Sequence, residues 1–169
     1  MNNSYSGSRV SGKVFPAGES KVRILNLRTE KNSPDYILIY IGINDFANGV
    51  PDQIHCPIQI RKNTFEGAYN RMLKSIRTQY PNATVVCGTL MRTTIKDRNG
   101  WHFPEEYAGN SFEEYNHTIR RVCRKNRCCL ADLSALDVRY ETLDGTHPTV
   151  CGHDTIAAAW IRCLDVLGL

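Results

Sequence analysis

The sequence predicts an α/β protein built on a parallel sheet, and three observations predict it. Short apolar runs of strand length alternate with longer stretches whose apolar residues recur every three or four positions. The connections between runs are long enough for helical crossovers, which parallel strands require. No repeat, low-complexity tract or linker divides the 169 residues, so a single layered domain spanning 1–169 is expected.

Taken in order, Ser20 opens a short helix running towards Leu27. Tyr36 to Ile41, after Pro34-Asp35, is a continuous apolar run and reads as a strand buried on both faces. Phe65, Ala68, Tyr69, Met72, Leu73, Ile76 and Tyr80 draw one apolar stripe on a helix that Pro81 and Asn82 stop. Thr84 to Cys87 is the next strand, followed by an irregular stretch from Gly88 to Gly109. Phe112, Tyr115, Ile119 and Val122 mark a second amphipathic helix, leading to a short strand near Cys128 to Ala131. Ile156, Trp160, Cys163, Leu164 and Leu167 make the closing helix.

Composition bounds the function classes. Hydrophobic residues make up 41% and charged residues 22%, ordinary for a globular chain with a real core. No apolar run has the length of a membrane span, and no signal-peptide pattern opens the sequence, so no membrane partner is expected. Net charge is +4. The basic cluster Arg120, Arg121, Arg124, Lys125 and Arg127 lies on the polar side of the second amphipathic helix, which reads as a solvated face rather than a nucleic-acid footprint. Seven cysteines, an odd number without C-x-x-C spacing, fall largely within predicted core elements. They imply free thiols and a reducing compartment such as the cytoplasm. His55 and Cys56 have no partners at metal-ligand spacing, so no metal site is expected.

Two strings carry chemistry: Gly42-Ile43-Asn44-Asp45 and Asp144-Gly145-Thr146-His147-Pro148. The first leaves the carboxyl end of a strand, where ligand crevices form in such sheets, and the second belongs on the same side. Acyl transfer needs a base, a carboxylate that holds the base in one tautomer, and donors aimed at a developing oxyanion. Asn44 supplies a side-chain donor, His147 a base and Asp144 an orienter. Gly42 permits the tight turn, and Asp45 braces the loop.

These strings resemble the third and fifth blocks of the SGNH (GDSL-type) hydrolases, which are esterases and lipases. Asn3-Ser4-Tyr5-Ser6-Gly7-Ser8 resembles the family's second block. The resemblance spans nearly the whole chain, with all three blocks in the family's order. It implies a three-layer α/β/α, flavodoxin-like fold. It also implies oxyanion donors Gly7 and Asn44, catalytic Asp144 and His147, no cofactor, and a small-molecule ester as substrate.

One departure stands out. The family's nucleophilic serine sits in a Gly-Asp-Ser string upstream of the second block, and only six residues precede Gly7. Gly18-Glu19-Ser20 follows Gly7 and has no strand before it, while Ser6 and Ser8 flank the proposed oxyanion glycine. The expectation is therefore an N-terminally truncated domain whose first strand is missing. An upstream segment or a second chain would complete the sheet, and the chain alone would be inactive. The competing reading is a non-catalytic binding or interaction module on the same fold. Two loops are expected to border the substrate pocket: Phe46 to Pro57 through Phe46, and Thr89 to Gly109 through Trp101, with Met91 and Phe103 beside it.

Overall fold

The computed structural model describes residues 2–29, 32–52, 63–93 and 105–169. Along the chain run α1 (Lys21–Leu25), β1 (Tyr36–Ile39), α2 (Ile43–Ala47), α3 (Phe65–Gln79) and β2 (Thr84–Gly88). There follow β3 (Glu106–Tyr107), β4 (Asn110–Ser111), α4 (Phe112–Lys125), β5 (Cys129–Ala131), a 3-10 turn (Leu133–Leu136) and α5 (Val150–Leu167). The central sheet has the order β1-β2-β5 and is parallel throughout, with Ile37 opposite Val85 and Cys87 opposite Leu130.

Local chemistry explains where the helices begin. Thr64 Oγ1 accepts a hydrogen bond from the Gly67 N–H at 3.1 Å and caps α3. Ser111 and Glu114 form a reciprocal capping box at α4. Thr149 Oγ1 accepts from the Gly152 N–H at 3.0 Å and caps α5.

The main core lies on one sheet face, where Ile37, Ile39, Val85 and Cys87 meet the apolar stripes of α3 and α4 and Ile24 of α1. The other face carries a smaller cluster, in which Val86 and Ala131 meet Leu133, Tyr140 and Ala159 of α5. Two of the clustered arginines are paired: Arg120 with Glu113 at 2.7 Å and Asp132 at 2.9 Å, and Arg121 with Glu66 at 2.9 Å. Cys87 and Cys123 are free thiols inside the core.

Three sequence expectations are corrected. β1 is not buried on both faces: Ile37 and Ile39 are buried, but Tyr36 and Leu38 are 58% and 52% exposed. Among the described residues α5 is the one helix on that face, and it covers β2 and β5. The loop after β1 contains a helix, α2. The irregular stretch ends in a β3–β4 hairpin whose turn residues, Ala108 and Gly109, both have positive φ.

Candidate active site

Gly42 ends the run out of β1 with φ 138°, a conformation that disfavours side chains, and a Cβ there would come within 2.9 Å of the Phe65 ring. The turn aims α2 back across the rim of the sheet. Asn44 Nδ2 donates to the Ser8 carbonyl at 3.0 Å. Asp45, wholly buried, accepts from the Val10 N–H at 2.6 Å and the Ser11 N–H at 3.0 Å. Burial pushes the Asp45 carboxyl pKa up, while these hydrogen bonds pull it down less strongly. The first turn of α2 is thus stapled to residues 8–11. Gly7 lies just before them in a tight turn, closed by the Ser8 N–H on the Tyr5 carbonyl at 3.2 Å, with φ 66° and open space around its Cα.

The second string is locally self-organised. Asp144 Oδ1 accepts from the backbone N–H groups of His147 at 2.8 Å and Thr146 at 3.0 Å. Asp144 Oδ2 meets His147 Nδ1 at 2.7 Å. The His147 backbone N–H, then its ring, hold the Asp144 pKa down at about 2. His147 is 68% exposed, and with Nδ1 engaged its Nε2 is left for another partner. A carbon-detected NMR titration of Asp144 should give a midpoint of about 2. Because this pKa is depressed below its unfolded value, the stability it contributes is full above the ordinary carboxylate range of about 4. It is lost as pH falls through 2. A midpoint of about 4 would mean that the pair with His147 is open.

Both strings lie at the carboxyl end of the sheet. Tyr140 donates to the Thr146 carbonyl at 3.3 Å. Burial, then the neighbouring Tyr40 hydroxyl and Asp144, raise the Tyr140 pKa. Tyr40 accepts from the Met91 N–H at 3.2 Å.

The structure therefore brings Asn44 to the Gly7–Ser8 turn and Asp144 to His147. It does not bring Phe46 to a pocket. That ring is fully buried, 5.4 Å edge-on to both Phe112 and Tyr115, because the turn of α2 points it into the core. Met91 is buried as well. Trp101, Phe103, His55 and Cys56 lie outside the described residues. Ser20 is buried at the start of α1, and no serine hydroxyl among the described residues hydrogen-bonds to His147. Sequence reasoning missed Tyr140, Tyr40 and the Val10–Ser11 amides. The amides bond to a residue 34–35 positions away, a separation no local pattern encodes.

The model of the GDSL-like lipase/acylhydrolase family matches residues 2–155. A multidomain esterase of Ruminococcus flavefaciens is 28% identical over 145 residues, 80% of this chain and 16% of that protein. The chain thus spans a small part of that relative. An acetylxylan esterase of Geobacillus stearothermophilus is 25% identical over 168 residues, 92% of this chain and 72% of its own length. Among solved structures, a GDSL-like lipase from Bacteroides uniformis superposes with TM-score 0.64 at 25% identity, covering 98% of this chain and 69% of its own. A Lactobacillus plantarum protein gives TM-score 0.71 at 20% identity, covering 95% and 78%, and shows the fold. This α/β chain belongs to the GDSL-like lipase/acylhydrolase family.

Proposed function

We propose that this chain is the base-and-oxyanion part of a serine ester hydrolase whose nucleophile lies outside the 169 residues. The observation that carries the reading is the Asp144–His147 pair at 2.7 Å, with no hydrogen bond to Nε2 among the described residues, on the sheet rim that also holds Asn44 against the Gly7 turn. In the completed protein a serine Oγ attacks the ester carbonyl and His147 Nε2 takes its proton. Asp144 holds Nδ1–H and stabilises the imidazolium. The oxyanion accepts from the Gly7 N–H and from the Asn44 Nδ2–H that Ser8 does not use. His147 returns its proton to the departing alcohol, and a water activated by the same imidazole then releases the acid. This chemistry uses no metal or organic cofactor. Acetylated saccharides are the first substrates to try, given the acetylxylan esterase among the relatives.

The test is hydrolysis of a chromogenic acetyl ester by the chain as it stands and by one extended upstream with an apolar strand ending in Gly-Asp-Ser. Activity is expected in the extended protein alone. Asn44→Ala should then lower turnover about a hundredfold, the usual cost of one oxyanion donor. No hydrolysis in either form favours a non-catalytic module, a reading supported by the absence of a described serine bonded to His147. Near-native activity of Asn44→Ala would remove its role.

A further inference from the structure

We propose that Thr142 is a positioning residue for the Asp144–His147 pair. Its hydroxyl fixes the Gly145 N–H, and with it the loop shape in which the Asp144 carboxylate reaches both the backbone and the ring of His147. The inference rests on the function proposed above for its effect on turnover, and on the loop's own geometry for everything else.

The pair needs such a support because burial does not provide it. The side chains of His147 and Asp144 are 68% and 51% exposed. An ion pair at that exposure contributes little by itself and does not hold two side chains in one geometry. Asp144 nevertheless makes contacts at 2.7, 2.8 and 3.0 Å, the last two to backbone N–H groups. Those donors converge on one oxygen only while the backbone from Gly145 to His147 keeps its curve. The geometry is therefore decided beneath the pair, in the loop that carries it.

At the base of the loop Thr142 and Pro148 form an antiparallel bridge, and the Leu143 N–H donates to the His147 carbonyl at 2.8 Å. These contacts fix the two ends and leave the tip, Gly145, to be placed. Gly145 has φ 92°, which the lack of a Cβ permits but does not select. Selection comes from Thr142 Oγ1, which accepts from the Gly145 N–H at 3.0 Å in a buried hydrogen bond. Thr142 is only 3% exposed, so water is a poor replacement for that acceptor. With the Gly145 N–H turned inwards, the N–H groups of Thr146 and His147 turn to Asp144 Oδ1. One hydroxyl thus sorts three successive amides.

Thr142 can do this because it stands on a rigid support. The Tyr140 N–H donates to the Arg92 carbonyl at 3.2 Å, and Tyr140 bridges to Thr93 in parallel. The Glu141 carbonyl accepts from the Thr149 N–H at 3.1 Å, and its carboxylate accepts from Thr149 Oγ1 at 2.7 Å. A Cβ at Gly152 would strike the Glu141 carbonyl, so the first turn of α5 lies directly against this segment. The acceptor is held from both sides before the loop begins. Serine at position 142 would supply the same acceptor, and valine the same shape without it.

The experiment follows the Asp144 carboxyl carbon by NMR through the acid range in the 169-residue chain and in Thr142→Val, Thr142→Ser and Thr149→Val. The unsubstituted chain should titrate at about 2. Thr142→Val should raise that midpoint by about one pH unit or more, towards the ordinary carboxylate value of about 4. Thr142→Ser should keep it at about 2. Thr149→Val removes the α5 cap and the bond to Glu141 but no contact within the loop, so it reports general loosening and should leave the midpoint in place. Amide exchange in the unsubstituted chain needs no variant to fold: Gly145 should be protected at least about tenfold relative to an unstructured peptide. Three results would overturn the proposal: an unmoved midpoint in Thr142→Val, an equal rise in Thr149→Val, or Gly145 exchanging at the unstructured rate. In the upstream-extended protein Thr142→Val should lower kcat about tenfold or more with KM for the acetyl ester unchanged. An unchanged kcat beside a raised midpoint would remove the catalytic consequence. No hydrolysis by the extended protein without substitutions counts against the proposed function alone, and titration and exchange then decide the role of Thr142.

Discussion

Asp45→Ala should destabilise the chain by about 2–4 kcal/mol in urea denaturation, the cost of one buried and one half-buried N–H donor losing their acceptor. Both donors, Val10 and Ser11, lie where α2 meets the loop that follows the Gly7 turn, and Asp45 itself is inaccessible to water. The loss should be local before it is global. Amides of residues 8–11 should exchange faster, while those of β2 and β5 keep their protection. Asp45→Asn, which retains one carbonyl acceptor, should lie between the wild type and Asp45→Ala. A change below about 0.5 kcal/mol, typical of surface substitutions, would mean that the carboxylate does not hold this loop.

His147→Ala, made in the upstream-extended protein of the proposed function, should lower kcat about 10⁴-fold or more, because in that proposed mechanism one residue both acts as base and transfers the proton. Asp144→Asn should cost a comparable factor: its amide cannot hold the ring in the tautomer that leaves Nε2 unprotonated. The two losses should not add when combined, since the residues act as one unit. Stability should change little, as both side chains are largely exposed. A fall of less than about tenfold for His147→Ala would exclude it as the base.

Much of the candidate site's local geometry was legible in the sequence for one physical reason. Asp144 and His147 are three residues apart, and a single turn closes the carboxylate onto both the backbone N–H and the ring of His147. The helices were legible for a related reason, since period and caps are local: the stripe from Phe65 to Ile76 and the Ser111–Glu114 box need no partner to be recognised. Phe46 was misread because strand-following loops usually stay at the surface. The short α2 turned its ring inward instead, and nothing within a few residues of it signals that turn.

What the sequence determined by itself is the parallel α/β class, the order of the main strands and helices and the pairing of Asp144 with His147, all written in contacts between near neighbours. Tertiary structure decided the rest. It joined Asn44 to Ser8 across 36 residues and buried Asp45 on amides 34–35 positions away. It also left Tyr36 and Leu38 facing water on a strand whose apolar run had promised burial. An apolar run records only that a strand needs cover, whereas the elements packed around it decide which edge and which face receive it.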